Sequence, residues 1–343
     1  MQRRKGAEKR RGNHQHRVSI DFAPLRPGDF ALRVPDFGKD VTKLVDTGVI
    51  AGLLAVDPVW SAYALADLQP AMAPYCRWLV HTNGTANAVV LVFDGLETPA
   101  LFTEGDPAAL EAVLAGADLP ARVYLTVREE HVPVVYRRFD HHDRRHMWRM
   151  VLEGARGEGR IATDGTLDAE AQRRGESAEK NEEQVQAVGS SLLREPLSLR
   201  ASASEISVSA RRLTAADVPS VRALLAHGGP FAPDAFAEYQ VTQGVFFGVE
   251  DGAGGLAAVG GTHIVDYTSG VAAIGNMYTR PDCRGRGYGG AVLTAIVDEV
   301  RANGATTIVL NVDQRNTGAR RLYEHHGFTV HCPYIEGVAT VRT

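Results

Sequence analysis

Apolar and polar positions in the C-terminal half follow two periods, and together they predict a mixed α/β unit. Short apolar runs bounded by Gly, Pro, Asn or Asp predict strands, whereas apolar residues three and four positions apart predict helices. The predicted order is β-α-α-β-β-β-α-β-α-β-β. Strands are predicted at 207–213, 245–251, 255–267, 270–279, 306–312, 328–335 and 338–343, and helices at 215–228, 233–244 and 316–327, with a further helix around Val292, Leu293, Ile296, Val297 and Val300.

The N-terminal half follows the later part of this pattern without its glycines. The segment 49–70 is helical in character and could supply the first helices of the same unit. The half is therefore a candidate repeat in pattern rather than in sequence. Its predicted elements are strands at 98–105, 121–127 and 145–154 and helices at 106–117 and 129–139.

A polar segment separates the two halves. No Phe, Trp or Tyr occurs between Trp148 and Phe231, and such a segment buries too little apolar surface to offset its ordering entropy. We therefore predict a linker at 156–203 with a transient helix over 167–188. The predicted organisation is a basic tail at 1–20, a first domain at 21–155, this linker, and a second domain at 204–343.

Composition and charge narrow the class of protein. The chain has 343 residues, 44% of them apolar, and 37 Lys and Arg against 41 Asp and Glu. The length and apolar content suit about two globular domains. The near balance of positive and negative charge argues against a dedicated nucleic-acid partner. The basic first residues are not followed by an apolar signal region, and no stretch suits a membrane span. A cytoplasmic protein is expected, because its cysteines are scattered and form no C-x-x-C pair: Cys76, Cys283 and Cys332.

The cluster DHHDRRH at 140–146 contains side chains of the kind that bind zinc. Arg144 and Arg145 lie within it, and their charge would oppose a cation. We therefore expect a polar turn there and no metal site.

The segment YTRPDCRGRGYGGAVL, residues 278–293, places glycines and arginines between a predicted strand and a predicted helix. Unpaired amides at a helix N-terminus point in one direction, and the helix dipole adds partial positive charge. Glycines let successive amides converge on an oxyanion and keep side chains out of its way. The segment therefore predicts a phosphate site built from the amides of residues 285–290.

The same glycines have three other interpretations. A Walker P-loop is excluded, because no Lys-Ser or Lys-Thr pair follows them. Gly285, Gly287 and Gly290 match the dinucleotide pattern G-x-G-x-x-G, and Asp313 closes the next predicted strand. However, the pattern lies so near the C-terminal end that most of a doubly wound sheet would have to precede it. A plain connecting turn stays open.

Two segments resemble signatures of the GNAT superfamily of N-acetyltransferases. RPDCRGRGYGGAVL resembles the acetyl-CoA signature R/Q-x-x-G-x-G/A, with Arg284, Gly287 and Gly289 in the defining places. DQRNTGARRLYEHHGF resembles the second signature, an Asn-led helix that ends in Leu-Tyr and is followed by Gly-Phe. The resemblance covers about 206–343. With the repeat, it implies an α/β (α+β) protein of two GNAT-like domains, each a mixed, mostly antiparallel sheet flanked by helices.

The resemblance implies which residues contact acetyl-CoA. The pyrophosphate is expected on the amides of 285–290, with two arginines adding positive charge. The fourth strand of the family diverges from the fifth, and the pantetheine chain is expected in that gap, along 276–279. The expected coenzyme contacts are Met277, Tyr278, Thr279, Arg284, Gly285, Arg286, Gly287, Tyr288, Gly289, Gly290 and Asn316.

The same resemblance implies catalytic roles. Tyr323 lies where the family has its general acid, and a phenol of pKa about 10 can protonate a thiolate whose thiol titrates near 8.5. Amides near Met277 and Tyr278 would stabilise the oxyanion, so Tyr278 is the second expected catalytic residue. Simple packing for Tyr323 and simple helix capping for Asn316 stay open. The general base is not identified; the candidates are His263, Asp266, Asp313 and water.

The N-terminal half departs from the signature. Its corresponding loop, TEGDPAAL, has one glycine, and Glu104 and Asp106 would repel a pyrophosphate. This half is therefore expected not to bind coenzyme A, and Tyr136 is expected to be a packing residue. The tandem layout is similar to that of mycothiol synthases and of glycine N-acyltransferase-like enzymes.

The resulting hypothesis is an enzyme that transfers an acetyl group from acetyl-CoA to a primary amine of a small molecule or peptide by direct attack. One alternative is an acetyl-CoA-binding regulatory module without turnover, and another is an acyltransferase that uses a longer acyl-CoA. A nicotinamide-dependent oxidoreductase is the least supported. The sequence does not identify the amine.

Overall fold

The computed structural model describes residues 47–82, 86–152, 208–233 and 236–342. The predictions for 1–20, for the linker at 156–203 and for its helix at 167–188 lie outside these residues.

The described N-terminal half contains the predicted helices and strands, with three strands that the pattern did not predict, β1, β2 and β5. The helical character of 49–70 is confirmed by two short helices, α1 and α2. The elements are α1 Thr47–Leu54, α2 Ala62–Ala66, β1 Cys76–Thr82, β2 Asn87–Phe93, β3 Ala100–Gly105, α3 Pro107–Gly116, β4 Arg122–Arg128, α4 Val132–Arg138, β5 Phe139–His141 and β6 Arg145–Leu152.

The C-terminal half follows the predicted order with one difference: the last two predicted strands form a single strand, β12. Among the described residues, none of the helices is long and apolar enough to cross a membrane. The elements are β7 Arg211–Arg212, α5 Val218–Leu225, α6 Glu238–Thr242, β8 Phe246–Glu250, β9 Leu256–Asp266, β10 Val271–Thr279, α7 Tyr288–Ala302, β11 Thr307–Asp313, α8 Thr317–His325 and β12 Phe328–Val341.

All of these strands belong to one 12-stranded sheet, in the order β1-β2-β3-β4-β12-β6-β11-β10-β9-β8-β7, with β5 paired to β12. The mixed, mostly antiparallel α/β fold is as predicted. The prediction of two separate sheets is wrong, because the last strand of each half lies within the other half. β12 pairs with β4 on one side and β6 on the other, and β6 pairs with β11.

The exchanged strands explain why the halves form one unit. Met150 and Leu152 of β6 are buried in the C-terminal core, and Tyr334 and Ala339 of β12 are buried in clusters of N-terminal residues. A strand with apolar residues buried on both faces is unstable at a sheet edge. Placing β6 and β12 at the centre covers them, and the described chain on both sides of 157–207 falls in one compact unit.

Helices cover both faces of the C-terminal part of the sheet. On one face, α7 and α8 pack against a core that includes Ile274 and Leu310. On the other face, α2 of the N-terminal half packs against Ala273 and Val309, beside the cluster that contains α5 and α6. The N-terminal half therefore supplies part of one layer over β10 and β11.

The sheet opens between β10 and β11, as predicted. These parallel strands pair only from Val271 opposite Thr307 to Ile274 opposite Leu310. Beyond Ile274, β10 remains paired with β9 but no longer with β11. The carboxyl ends of the two strands therefore diverge and leave a gap with unpaired backbone on each side.

Candidate functional site

The turn from β10 to α7 is built on two glycines with left-handed backbone. Gly285 has φ +75° and Gly287, the N-cap of α7, has φ +79°. Residues with a side chain rarely adopt these angles, which is why glycine is needed at both positions. Within the described chain, no amide of residues 285–290 donates a hydrogen bond to protein. The turn therefore presents a set of free amides at the N-terminus of a 15-residue helix, the arrangement that binds anions.

The space in front of this turn is open and carries positive charge. A Cβ atom added to Gly285 or Gly287 would meet nothing within 4 Å. The Arg284 Nε atom donates to the Thr279 carbonyl at 3.2 Å, and Arg286 Nη2 donates to the Asp282 carbonyl at 3.1 Å. Neither arginine forms an ion pair with a described residue, so both charges remain available to an anion.

The next two glycines allow α7 to approach its neighbours. A Cβ at Gly289 would lie 3.3 Å from side-chain atoms of Leu322 and Thr279, and one at Gly290 would lie 3.2 Å from the His326 ring. Any larger residue would push the helix away from α8 and β10. The four glycines thus divide into two that shape the anion turn and two that position it.

A β-bulge at Asn276 and Met277 changes the direction of β10, the strand that borders the gap. The pairing with β9 shifts register between Gly275 and Tyr278, and Asn276 has φ +53°. Such a conformation costs about 1–3 kcal/mol unless the surroundings hold it. Here Asn276 Nδ2 donates to Gln240 Oε1 of α6 at 2.8 Å, and both residues are buried.

The pairing register of β10 with β9 shows which β10 amides face the gap, and it differs from the prediction for Tyr278. Arg280 donates its amide to the Ala257 carbonyl of β9, and Tyr278 lies opposite Val259 in the same register. Alternate residues of an antiparallel strand point to the same side, so the Tyr278 amide also points to β9. The Thr279 amide points to the gap instead, and Met277 lies beside it in the bulge.

The Tyr278 side chain likewise lies away from the gap. Its hydroxyl donates to the Gly228 carbonyl at 2.8 Å, within the cluster formed by α5 and α6. A catalytic role for the Tyr278 phenol or amide is therefore not supported by the geometry. The neighbouring residues Met277 and Thr279 remain as predicted coenzyme contacts.

Tyr323 of α8 is buried, with 6% of its surface exposed, in the core that contains Ile274 and Leu310, where the gap begins. Its ring meets Phe328 edge-on at a centroid distance of 6.2 Å. Burial raises the pKa of the Tyr323 phenol above its ordinary value. The phenol therefore keeps its proton at neutral pH, as a proton donor must, and it also packs as a core residue.

Asn316 caps the helix that carries Tyr323. Its side-chain oxygen accepts a hydrogen bond from the Ala319 amide at 3.2 Å. The helix-capping interpretation is thus confirmed. The Asn316 amide nitrogen is not used by the cap, and contact with the coenzyme remains a prediction.

Two of the three predicted base candidates are carboxylates whose contacts do not suit the role. Asp266 accepts hydrogen bonds from the amides of Thr268 and Ser269 and pairs with Val271, at the end of β10 remote from the gap. Asp266 therefore stabilises the β9–β10 turn and is not near the reacting groups.

Asp313 lies at the open end of β11 but is paired. Arg315 contacts both carboxylate oxygens, Nε to Oδ1 at 2.9 Å and Nη2 to Oδ2 at 2.6 Å. Partial burial alone would raise the pKa of Asp313, but the hydrogen bonds and charge of Arg315 outweigh it and lower the pKa. A carboxylate held this way is a weak base.

His263 is the remaining candidate, and it lies at the gap. Its ring covers Gly275, where a Cβ would come within 2.1 Å of Nε2. The Tyr63 hydroxyl lies 3.1 Å from His263 Nδ1. Tyr63 belongs to α2, so the N-terminal half contacts the candidate base directly. Sequence reasoning did not identify Tyr63, because nothing in the local pattern of α2 distinguishes it from a packing residue.

Arg149 is a second residue that the sequence analysis did not identify. It lies on β6, only 1% exposed, with its guanidinium carbon 5.3 Å from the Trp60 ring centroid, 5.0 Å from that of Tyr63 and 5.7 Å from that of Tyr334. The available signal was an arginine inside the apolar stretch HMWRMVL. A charged residue in a buried strand needs a partner, and this one is enclosed by aromatic rings.

In the N-terminal half, the positions that correspond to the gap between β10 and β11 are filled by side chains of that half. β3 and β4 also diverge, after Phe102 opposite Thr126. His131, which is buried, bridges the start of this gap, with Nδ1 3.0 Å from Thr103 Oγ1 and Nε2 2.8 Å from the Gly105 carbonyl. Trp60 donates its indole N–H to the Thr103 carbonyl at 3.0 Å.

The helix N-terminus that follows β3 is also occupied. The Asp106 carboxylate accepts from the amides of Ala108 and Ala109 at 2.8 and 3.2 Å, where the C-terminal half leaves its amides free. These contacts support the prediction that this half does not bind coenzyme A. Tyr136, as expected, makes a local contact, its hydroxyl lying 2.8 Å from His141 Nδ1.

A cavity of about 340 Å³ lies beside this filled gap. Glu104 lines it, with 7% of its surface exposed and Oε2 without a hydrogen-bond partner in the described chain. Burial raises the pKa of Glu104 to about 7, opposed by the charge of Arg128. The other lining residues are Leu53, Val56, Asn87, Ala88, Val89, Gly105 and Asp106.

Diverging parallel strands with a glycine turn and free helix amides at their open end define an α/β fold whose turn has the arrangement that suits a phosphate group. Comparison with known families agrees with the sequence resemblance: the model of the acetyltransferase (GNAT) family matches residues 222–328. This match assigns the segment 222–328 of the C-terminal half to the GNAT family.

Curated relatives match part of the chain. Over 91 residues the chain is 38% identical to mycothiol acetyltransferase of Beutenbergia cavernae. This alignment covers 25% of this chain and 29% of that protein. Over 57 residues it is 37% identical to the ribosomal protein bS18-alanine N-acetyltransferase of Haemophilus ducreyi. This alignment covers 17% of this chain and 39% of that protein. The chain thus spans well under half the length of each relative.

Among solved structures, a Drosophila protein shares the fold over nearly the whole chain. The TM-score is 0.54 at 15% sequence identity, with 86% of this chain and 95% of that chain covered. The likeness extends over both halves.

Proposed function

We propose that this protein is an N-acetyltransferase that transfers an acetyl group from acetyl-CoA to a primary amine by direct attack. The C-terminal half binds the coenzyme, and the N-terminal half covers the opposite face of the gap. The relatives described above, two acetyltransferases, support this class of reaction.

The observation that carries the proposal is the turn of free amides beside a gap between two strands. The amides of residues 285–290 bind the pyrophosphate, with Arg284 and Arg286 adding charge. The pantetheine chain lies in the gap, where the Thr279 amide is free to pair with it. The thioester then reaches the end of β10–β11 pairing, near Ile274 and Leu310.

The chemistry follows from the groups at that point. The amine nitrogen attacks the thioester carbonyl carbon, and a gap-facing amide of β10 stabilises the oxyanion. The C–S bond breaks, the electron pair goes to sulfur, and the thiolate takes the Tyr323 proton. The amine loses a proton to His263, directly or through water, and the phenolate is reprotonated from solvent. His263 and Tyr63 lie on the face opposite α7, so the amine approaches from that face.

Acetyl-CoA binding by the full chain tests the proposal. Gly287→Glu should lower the affinity at least tenfold, because it places a carboxylate among the free amides, and its strain is confined to the turn. Gly304→Glu is the matched control: Gly304 has φ +100° and open space around it, but lies at the far end of α7. The control should lose similar stability and keep its affinity for acetyl-CoA.

Calorimetry measures both affinities, and thermal unfolding measures the cost of each substitution. Equal affinity in the wild type and Gly287→Glu, or no binding by the wild type, would sink the proposal. If the chain binds acetyl-CoA but releases no free thiol with any amine, it is a coenzyme-binding module without turnover. Comparing acetyl-CoA with longer acyl-CoA donors in the same thiol assay settles the acyl chain.

A further inference from the structure

Arg149 is a buried cation without a partner. Its Nε and Nη1 atoms are enclosed and have no hydrogen-bond acceptor in the described chain, and it forms no ion pair there. Buried charges are normally paired, because an unpaired charge removed from water strongly destabilises the fold. Its three aromatic neighbours attract the face of the guanidinium. They supply no acceptor for the N–H groups of Nε and Nη1.

The arginine lies on the amine side of the gap. Asn311 of β11 is directly opposite Arg149 on β6, and it is the first β11 residue beyond the paired stretch with β10. Tyr63 contacts Arg149 at one end and His263 of β9 at the other. Since β11 and β10 lie between β6 and β9, the Tyr63 side chain passes over both strands at the opening.

Unpaired acceptors border the gap on both sides, and one of them lies opposite this cation. Asn311 Oδ1 and Asn276 Oδ1 are enclosed and have no hydrogen-bond partner in the described chain. Asn311 borders the gap on β11 and Asn276 borders it on β10. Native proteins leave few such groups unsatisfied, and a ligand or water is the usual explanation. Here a donor of hydrogen bonds would satisfy the asparagines, and an anion would satisfy Arg149.

An amino acid offers both groups. We propose that the acceptor is a small molecule carrying a primary amine and a carboxylate, with the carboxylate bound by Arg149 and the amine held between Asn276 and Asn311 beside His263. Guanidinium and carboxylate match in shape and charge, which makes arginine the usual choice for such recognition. Tyr63 and Asn311 are partly exposed, so the guanidinium lies one side chain beneath the surface. This inference rests on the proposed acetyltransferase function and names its substrate class.

The first test uses the wild-type protein and matched acceptors. Thiol release from acetyl-CoA is followed with the common α-amino acids and β-alanine, each beside its carboxamide. The inference predicts that the best acid exceeds its carboxamide in kcat/KM by at least tenfold. If carboxamides react as well as the acids, the inference is overturned and the proposed function stands. If no amine reacts, both fall.

Substitution of the arginine tests its role directly. Arg149→Lys keeps the positive charge but loses the paired N–H geometry, so KM for the acid should rise at least tenfold while the affinity for acetyl-CoA is unchanged. The preference for acid over carboxamide should also fall. Arg144→Lys is the matched control, because Arg144 stacks on Tyr136 at 4.8 Å in the N-terminal half, away from the gap.

A merely structural role gives a different pattern. It would lower kcat for acid and carboxamide alike and leave their ratio unchanged, and that result would overturn the assignment of Arg149. Should Arg149→Lys fail to fold, the comparison of acids with carboxamides on the wild-type protein still decides the inference.

Discussion

Tyr323 combines two roles at one position, and a substitution can separate them. Tyr323→Phe keeps the ring that packs edge-on against Phe328 and removes the proton donor. We expect kcat to fall about a hundredfold, the usual range for loss of a general acid, with acetyl-CoA affinity within about twofold of wild type. Steady-state kinetics and calorimetry measure the two quantities. Tyr267→Phe, at an exposed tyrosine of the β9–β10 turn, is the control, and unchanged turnover in Tyr323→Phe would show that the phenol is structural.

Glu104 should make the stability of the protein depend on pH. Burial raises its pKa to about 7 from 4.5, so the folded state holds a proton that the unfolded chain releases at lower pH. The contribution of protonated Glu104 to the free energy of unfolding is therefore fully present below about pH 4.5, and it is lost as the pH rises towards about 7. Glu104→Gln has no group to titrate at this position. Its free energy of unfolding relative to wild type should therefore increase by up to about 3 kcal/mol between pH 4 and pH 8.

Urea unfolding of both proteins at several pH values measures this difference. Glu111→Gln, at an exposed glutamate that pairs with Arg137, should show no comparable trend. A difference between wild type and Glu104→Gln that stays constant across the range would mean that Glu104 does not titrate near neutral pH.

Residue types alone predicted the anion turn but not the opposite face of the gap. Gly285, Gly287 and Arg284 lie in one short segment, so their spacing carries the information. Arg149 and Tyr63 are far apart in sequence and from His263, and their meeting depends on how the sheet is assembled. The sequence also placed the Tyr278 amide at the gap, where the structure does not: the bulge at Asn276 shifts the alternation, and no local pattern reveals a bulge of this kind.

At the scale of elements, the two halves differ in what occupies a helix N-terminus. Asp106→Ala removes the carboxylate that caps α3 and should cost about 1 kcal/mol of stability. It should not create a second coenzyme site, because His131 and Trp60 still fill the gap between β3 and β4. Calorimetry should find the same stoichiometry of acetyl-CoA per chain in variant and wild type. A doubled stoichiometry would show that Asp106 alone closes this site.

Most helices and strands were predictable, since their apolar periods are local. The strands β10 and β11 and the helices α7 and α8 follow the predicted positions within a few residues. β12 was predicted as two strands, because Glu336 and Gly337 interrupt the apolar run. In the structure Gly337 has φ +139° and lies against the Asp143 carbonyl, so the strand continues through an irregularity instead of ending.

At the scale of the whole molecule, the exchange of β6 and β12 could not be predicted from the sequence. Each strand has the same length and apolar pattern whether it pairs within its own half or with the other. The choice is made by tertiary pairing, Cys332 opposite Arg149 and Tyr334 opposite Arg128. One functional consequence is visible at Arg149: a residue of the N-terminal half reaches the gap of the C-terminal half because its strand is inserted there.

The exchange also decides how the protein can be divided. Residues 208–343 expressed alone lack β6 between β11 and β12, so both strands lose a partner and we expect the fragment to be insoluble or unfolded. A chain cut within 157–207 keeps every described pairing of the sheet, because the paired strands lie within 76–152 and 211–341. The two fragments, co-expressed, should therefore copurify and bind acetyl-CoA as the intact chain does. Size-exclusion chromatography and calorimetry check this, and separation of the fragments without denaturant, or a stable coenzyme-binding fragment 208–343, would contradict the exchange.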